Sequence, residues 1–104
     1  MRVDVWPDEV LYVWRMKNTH DRLDLLQTFI RIGESGSLSK AARLLDTTQP
    51  TVSRRLLELE RLLGCKLAIR NTANFSLTDE GRSLLAEAHD LTDRWSGLSQ
   101  RLRG

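Results

Sequence analysis

A chain of 104 residues with 40% hydrophobic content carries enough apolar surface for one small core. The formal net charge of +2 is too small to imply nucleic acid by itself, and no apolar run is long enough to cross a bilayer. The single cysteine, Cys65, has no partner for an internal disulfide and no signal-peptide pattern is visible, so a cytoplasmic protein with an inert, buried Cys65 is expected.

Residues 1–20 admit two readings. Val3, Trp6, Val10, Val13 and Trp14 fall on one face of a short helix beginning at Pro7, where proline is tolerated. Alternatively, Met16 is the biological start and the stretch before it is incidental. From Asp21 the pattern is firmer: Leu23, Leu26, Phe29 and Ile30 make an amphipathic stripe, widened by Leu25 and Ile32 and stopped by Gly33 followed by Gly36. Ser37 is placed to cap the next helix, which ends at Leu45; Asp46 then occupies a turn where it tolerates a positive φ. Thr48 caps a longer helix that has Pro50 in its first turn and stops at Gly64. Ala42, Leu45, Val52 and Leu56 are spaced so that these two helices share one apolar seam, with a small residue where they cross. That is the logic of a helix-turn-helix, whose second helix is offered to the DNA major groove.

Beyond Gly64 the periodicity changes. Residues 67–69 and 75–77 are short alternating runs joined by a polar turn at 70–74, which predicts a β-hairpin, or wing. Thr78 caps a last helix, with Asp79 and Glu80 near its positive end. Leu84, Ala88, Leu91, Trp95, Leu98 and Leu102 follow at steps of four and three, an a/d seam weakened locally by Gly97. It extends too far from the core to be buried wholly by its own domain, so these six residues are expected at a homodimer interface. The fold class is mainly α with a small β-hairpin: a winged helix-turn-helix followed by a long dimerisation helix. Its parts are an N-terminal extension (1–20), the DNA-binding domain (21–77) and the linker helix (78–104).

Charge is distributed to match. Between residues 37 and 70 stand seven basic side chains, Lys40, Arg43, Arg54, Arg55, Arg61, Lys66 and Arg70, against three acidic ones, Asp46, Glu58 and Glu60. The remainder of the chain is net negative. Positive charge gathered on one module is the footprint of phosphate binding, although a solvated basic face looks the same by composition.

The side chains suit base reading. Gln49 can pair two hydrogen bonds with adenine, and Arg54 or Arg55 can do so with guanine. Helix geometry sets Pro50 and Arg54 opposite Val52 and Leu56, with Thr51 and Ser53 on the flanks. Gln49 lies nearer the apolar side and must reach from the helix N-terminus. Ser37, Thr48 and Thr78 are caps first, but a cap beside DNA can also donate to phosphate. Lys40 and Arg43 ride on the helix that crosses the DNA backbone. An enzyme is not expected: His20 and His89 lack metal-spaced partners, Cys65 has neither His nor acid nearby in sequence, and no glycine-rich phosphate loop is present. Neither a metal nor a cofactor is called for.

The run Gly36-Ser37-Leu38-Ser39-Lys40-Ala41-Ala42, then Gln49-Pro50-Thr51-Val52-Ser53, Leu59-Glu60, Leu63-Gly64, and finally Leu77-Thr78 with Gly81, resembles the DNA-binding module of the LysR-type transcriptional regulators. The likeness is continuous over about 60 residues. It implies a winged helix-turn-helix, dimerisation through the long helix, and recognition of an interrupted palindrome in double-stranded DNA. It further implies that Gln49, Pro50 and Thr51 face base edges, that Ser53 and Arg54 touch phosphate or base, and that Arg70 reaches a minor groove.

Two positions depart from the pattern: Ala68 stands where the family usually has Phe, and Ala73 where a basic residue sits near the wing tip. The first leaves a smaller apolar plug under the wing, to be filled by Phe75. Family members continue into a larger effector-binding domain, whereas this sequence stops at Gly104, which leaves a fragment or a stand-alone DNA-binding dimer without a small-molecule effector. The rival reading is an interaction module that pairs with a full-length relative and acts as its antagonist.

Overall fold

The structure, a computed structural model, describes residues 7–9, 22–70 and 75–104. Of the helix expected from Pro7 only residues 7–9 are described, with 8 and 9 helical; Val3, Trp6, Val10, Val13 and Trp14, and the wing tip with Ala73, lie outside the described residues. From residue 22 onward the described residues form four helices and one hairpin, in order: α1 (Arg22–Ser35), α2 (Leu38–Leu44), α3 (Gln49–Leu63), β1 (Ala68–Arg70), β2 (Phe75–Leu77) and α4 (Asp79–Arg103).

Local chemistry sets the boundaries. Gly36 adopts φ 70° and returns its N–H to the Ile32 carbonyl, which closes α1. Gly33 does not stop the helix as expected; it stays within α1. A Cβ there would lie 2.6 Å from Leu85 Cδ2, so this glycine lets α4 approach α1 closely. Ser37 caps α2 by accepting the Lys40 N–H at 3.2 Å, and Asp46 has the positive φ expected of the turn, 54°. Thr48 caps α3, Gly64 ends it at φ 74°, and Thr78 caps α4 by accepting the Gly81 N–H.

The core gathers Leu25, Phe29 and Ile32 of α1, Leu38, Ala41 and Ala42 of α2, Val52, Leu56 and Leu59 of α3, and Leu67 and Ala68 below the wing. Along α1 the deepest line is Leu25–Phe29–Ile32, while Leu23 and Leu26 are only half-buried. The expected stripe is therefore rotated, because a segment with leucines at 23, 25 and 26 leaves the phase open until a partner helix selects it. The strands pair antiparallel, with Ala68 opposite Leu77 and Arg70 opposite Phe75. Phe75 and Leu77 pack against the core beside the small Ala68.

α4 has two regimes. Up to Thr92 it lies across α1, with Gly81, Ala88 and Thr92 buried and Leu84 and Leu85 packed on the core. Beyond that point it projects away, and the described molecule measures 51 × 27 × 27 Å along its principal axes. Leu84 and Ala88, expected at a dimer interface, thus face their own domain; Ala88 has no exposed surface at all. The expected seam splits because the helix's inward line continues from Ala88 to Thr92, one position past Leu91. Leu91, Trp95, Leu98 and Leu102 remain 50%, 54%, 40% and 78% exposed.

Candidate nucleic-acid interface

α3 is sharply two-faced. Val52, Leu56 and Leu59 fall at steps of four and three and seal it to the core, while Gln49, Pro50, Arg54, Leu57 and Arg61 are exposed. Thr51 and Ser53 occupy the flanks, half-buried. This is the arrangement expected from helix geometry, and Gln49 stands free at the N-terminal end.

Hydrogen bonds organise the exposed face. The hydroxyls of Thr48 and Thr51 are 2.9 Å apart, the Thr51 N–H donates to Thr48 Oγ1, and Arg54 Nη2 donates to Thr51 Oγ1 at 3.3 Å. From the wing, Arg70 Nη1 donates to Ser53 Oγ at 2.7 Å. The first wing strand is thereby tied by its last residue to the N-terminal half of α3. Nothing in the spacing of residues 53 and 70 announces that contact.

Arg55 behaves differently from its neighbour. Its Nη1 donates to Thr28 Oγ1 of α1 at 3.4 Å, and its Nε is buried without a partner. The structure turns this side chain toward α1, away from the face that displays Arg54. Adjacent helical residues lie about 100° apart, so only one of two neighbouring arginines can share that face.

The wing is anchored by a group to which the sequence reading assigned no role. Glu60 is buried on the apolar side of α3, and its Oε2 accepts the N–H groups of Leu67 at 2.8 Å and Ala68 at 3.3 Å. Lys66 approaches Oε1 at 3.8 Å. A signal was available: Glu60 stands four residues after Leu56, on the same face, where a carboxylate must find donors. Thr78 completes the joint by donating its hydroxyl to the Lys66 carbonyl at 2.7 Å and its N–H to the Leu67 carbonyl at 3.0 Å.

Electrostatically, Lys40, Arg43, Arg54, Arg61, Lys66 and Arg70 are all exposed, whereas the Glu60 carboxylate is spent inside the wing joint. Ser37 and Thr48 cap the two helices at their N-termini, where backbone donors also favour anions. Cys65 is half-buried. Among the described residues no group of three or more His, Cys, Asp or Glu is placed to hold a metal, and no helix is long and apolar enough to cross a membrane.

A two-faced helix presented after a tight turn, braced by a two-stranded wing and followed by a long helix, defines a winged helix-turn-helix. The model of the bacterial regulatory helix-turn-helix proteins, lysR family, matches residues 23–82, and the chain belongs to that family. It is 37% identical over 73 residues to the HTH-type transcriptional regulator YbhD of Escherichia coli (strain K12), covering 70% of this chain and 23% of that one. It is 45% identical over 67 residues to the HTH-type transcriptional activator AllS of Salmonella typhimurium (strain LT2), covering 64% of this chain and 22% of that one. In three dimensions it resembles the protein of a CbnR DNA-binding-domain–DNA complex with a TM-score of 0.75 at 29% identity, over 79% of this chain and 94% of that one. The chain thus spans under a quarter of the length of these two curated relatives.

Proposed function

We propose that this chain is a sequence-specific DNA-binding module of a transcriptional regulator, acting in the cytoplasm as a dimer on two half-sites of an interrupted palindrome in double-stranded DNA. Residues 21–77 form the DNA-binding domain, 78–104 the linker and dimerisation helix, and 1–20 an extension. The observation that carries the reading is the exposed, donor-rich N-terminal half of α3, with its opposite face committed to the core. Gln49, Pro50 and Arg54 meet base edges. Ser37, Lys40, Thr48 and Ser53 hold phosphates, and Arg70 contacts DNA from the wing. Arg55 contributes by holding α3 against α1. Dimerisation through Leu91, Trp95, Leu98 and Leu102 doubles a contact set that is too small to hold one helix-turn-helix on DNA at physiological salt.

Selection of bound duplexes from a random pool, followed by gel shifts across a salt series, tests this. The expected result is a repeated half-site with binding that weakens steeply as salt rises. Gln49→Ala relaxes base preference at one position of each half-site, whereas Arg43→Ala weakens all duplexes about equally. Equal binding of selected and random DNA by the parent and by Gln49→Ala refutes the base-reading assignment. No binding to DNA, alongside strong association through α4, favours the antagonist reading instead.

A further inference from the structure

We infer that Thr51 is a positioning residue: its hydroxyl, steadied by Thr48, holds the Arg54 guanidinium in a fixed, donor-presenting orientation that selects guanine in each half-site. The inference rests on the proposed DNA-binding role of α3 and deepens it by naming the base.

Residues 48, 51 and 54 succeed one another at steps of three, so their side chains lie along one edge of α3. Arg54 Nη2 donates to Thr51 Oγ1 at 3.3 Å, and the two threonine hydroxyls share a hydrogen bond of 2.9 Å. Thr48 Oγ1 in turn accepts the Thr51 N–H at 3.4 Å. An exposed arginine ordinarily samples many rotamers, and immobilising it on binding is costly. Here a cap that α3 needs in any case supplies the anchor, so part of that ordering is complete before DNA arrives.

The hydrogen count decides which base edge fits. If Thr48 donates to Thr51, the Thr51 oxygen has both lone pairs occupied and its own proton is free. If Thr51 donates to Thr48, the Thr48 oxygen is full and the Thr48 proton is free. Either way one hydroxyl proton faces outward, next to the unused N–H groups of a guanidinium that has no acceptor. At most one threonine lone pair remains. A surface so rich in donors matches an edge that offers only acceptors. Guanine presents O6 and N7, both acceptors, in the major groove; adenine pairs its N7 with an N6 donor, and cytosine presents a donor.

The test is random-pool selection with the full chain as the parent, Thr51→Val, Thr51→Ala and Thr51→Ser, with thermal melts to confirm folding. The parent is expected to select guanine at one position of each half-site. Thr51→Val and Thr51→Ala are expected to reduce the preference for guanine over adenine there by about five- to tenfold, within what one bidentate base contact is worth. That loss exceeds their loss of affinity for unrelated DNA, and Thr51→Ser restores the preference. A merely structural threonine would lower affinity for all duplexes alike and leave the base profile unchanged. A parent that selects sites without guanine, or a guanine preference untouched in both Val and Ala variants, overturns the inference alone. A parent with no sequence preference overturns the proposed function and this inference together.

Discussion

The Glu60 carboxylate, buried at the end of α3, accepts the Leu67 N–H at 2.8 Å and so holds the entry to the wing against the helix that displays Arg54. The same oxygen takes the Ala68 N–H at 3.3 Å. Two buried donors therefore depend on one acceptor. Glu60→Ala is expected to destabilise the fold by about 3 kcal/mol, since unsatisfied buried donors cost far more than a formed bond gains. Glu60→Gln, which keeps an acceptor oxygen, should lose less than half of that. Urea denaturation of the two variants checks the ordering. Lys66→Ala should matter little, because its ion pair to Glu60 is long and the lysine is largely exposed.

Two glycines make a second, contrasting prediction. A Cβ on Gly81 would stand 2.1 Å from the Leu67 carbonyl oxygen, a backbone atom fixed by its bond from Thr78. A Cβ on Gly33 would meet only the far end of the Leu85 side chain. Gly81→Ala must move α4 away from the wing and is expected to cost about 3 kcal/mol, at the upper end for overpacking. At Gly33 the gain of about 1 kcal/mol from placing alanine within a helix offsets part of a smaller clash. Gly33→Ala is therefore expected to stay within about 1 kcal/mol of the parent in thermal unfolding. Equal destabilisation by both would contradict the packing described at the wing joint.

Arg55 supplies a third. Its stem lies between α3 and α1, its Nη1 meets Thr28, and its Nε is buried without a partner. Methionine keeps most of the apolar stem and removes the orphaned donor, so Arg55→Met is expected to change stability by less than about 1 kcal/mol. The selected half-site should be unaltered, in contrast to Arg54→Met, which should lose a base. A changed half-site in Arg55→Met would return this arginine to the DNA-reading set.

What the sequence made legible follows from how local the chemistry is. Ser37, Thr48, Thr78, Gly36 and Gly64 cap or stop helices through contacts within a few residues, so their roles can be read from the string alone. The same holds for the exposed and buried sides of α3, because the spacing of Val52 and Leu56 already phases that helix. Tertiary choices were not legible. Leu23, Leu25 and Leu26 allowed more than one phase for α1, and only packing selected Leu25. Gly33 looks like a terminator until Leu85 is brought against it. Arg55, three residues after Val52 and one before Leu56, falls by that phase on the inner edge of α3, but its partner Thr28, 27 residues away, shows only in the fold. The Ser53–Arg70 bond likewise requires the hairpin to fold back on α3 before either residue reveals its partner.

The projecting end of α4 carries the last prediction, which separates the helix's two faces. Trp95 and Leu91 are half exposed on the described chain, whereas Ala88 is sealed inside it. If the outer face joins a second copy, Trp95→Ala removes a large apolar anchor from that interface. Its dimer dissociation constant should rise by at least about tenfold, the effect of losing a residue worth roughly 2 kcal/mol. Its monomer fold should be little affected, since the side chain is 54% exposed and lies beyond Thr92, on the projecting part of α4. Ala88→Leu should do the reverse. It overfills the contact between α4 and α1 and should cost about 1–3 kcal/mol in unfolding, with association changed only through the fraction folded. Sedimentation across a concentration series and urea titration of both variants give two independent columns of results. A Trp95→Ala protein that dimerises as the parent does would place the dimer contact elsewhere, and the half-site spacing would then have to be set by some surface other than this helix.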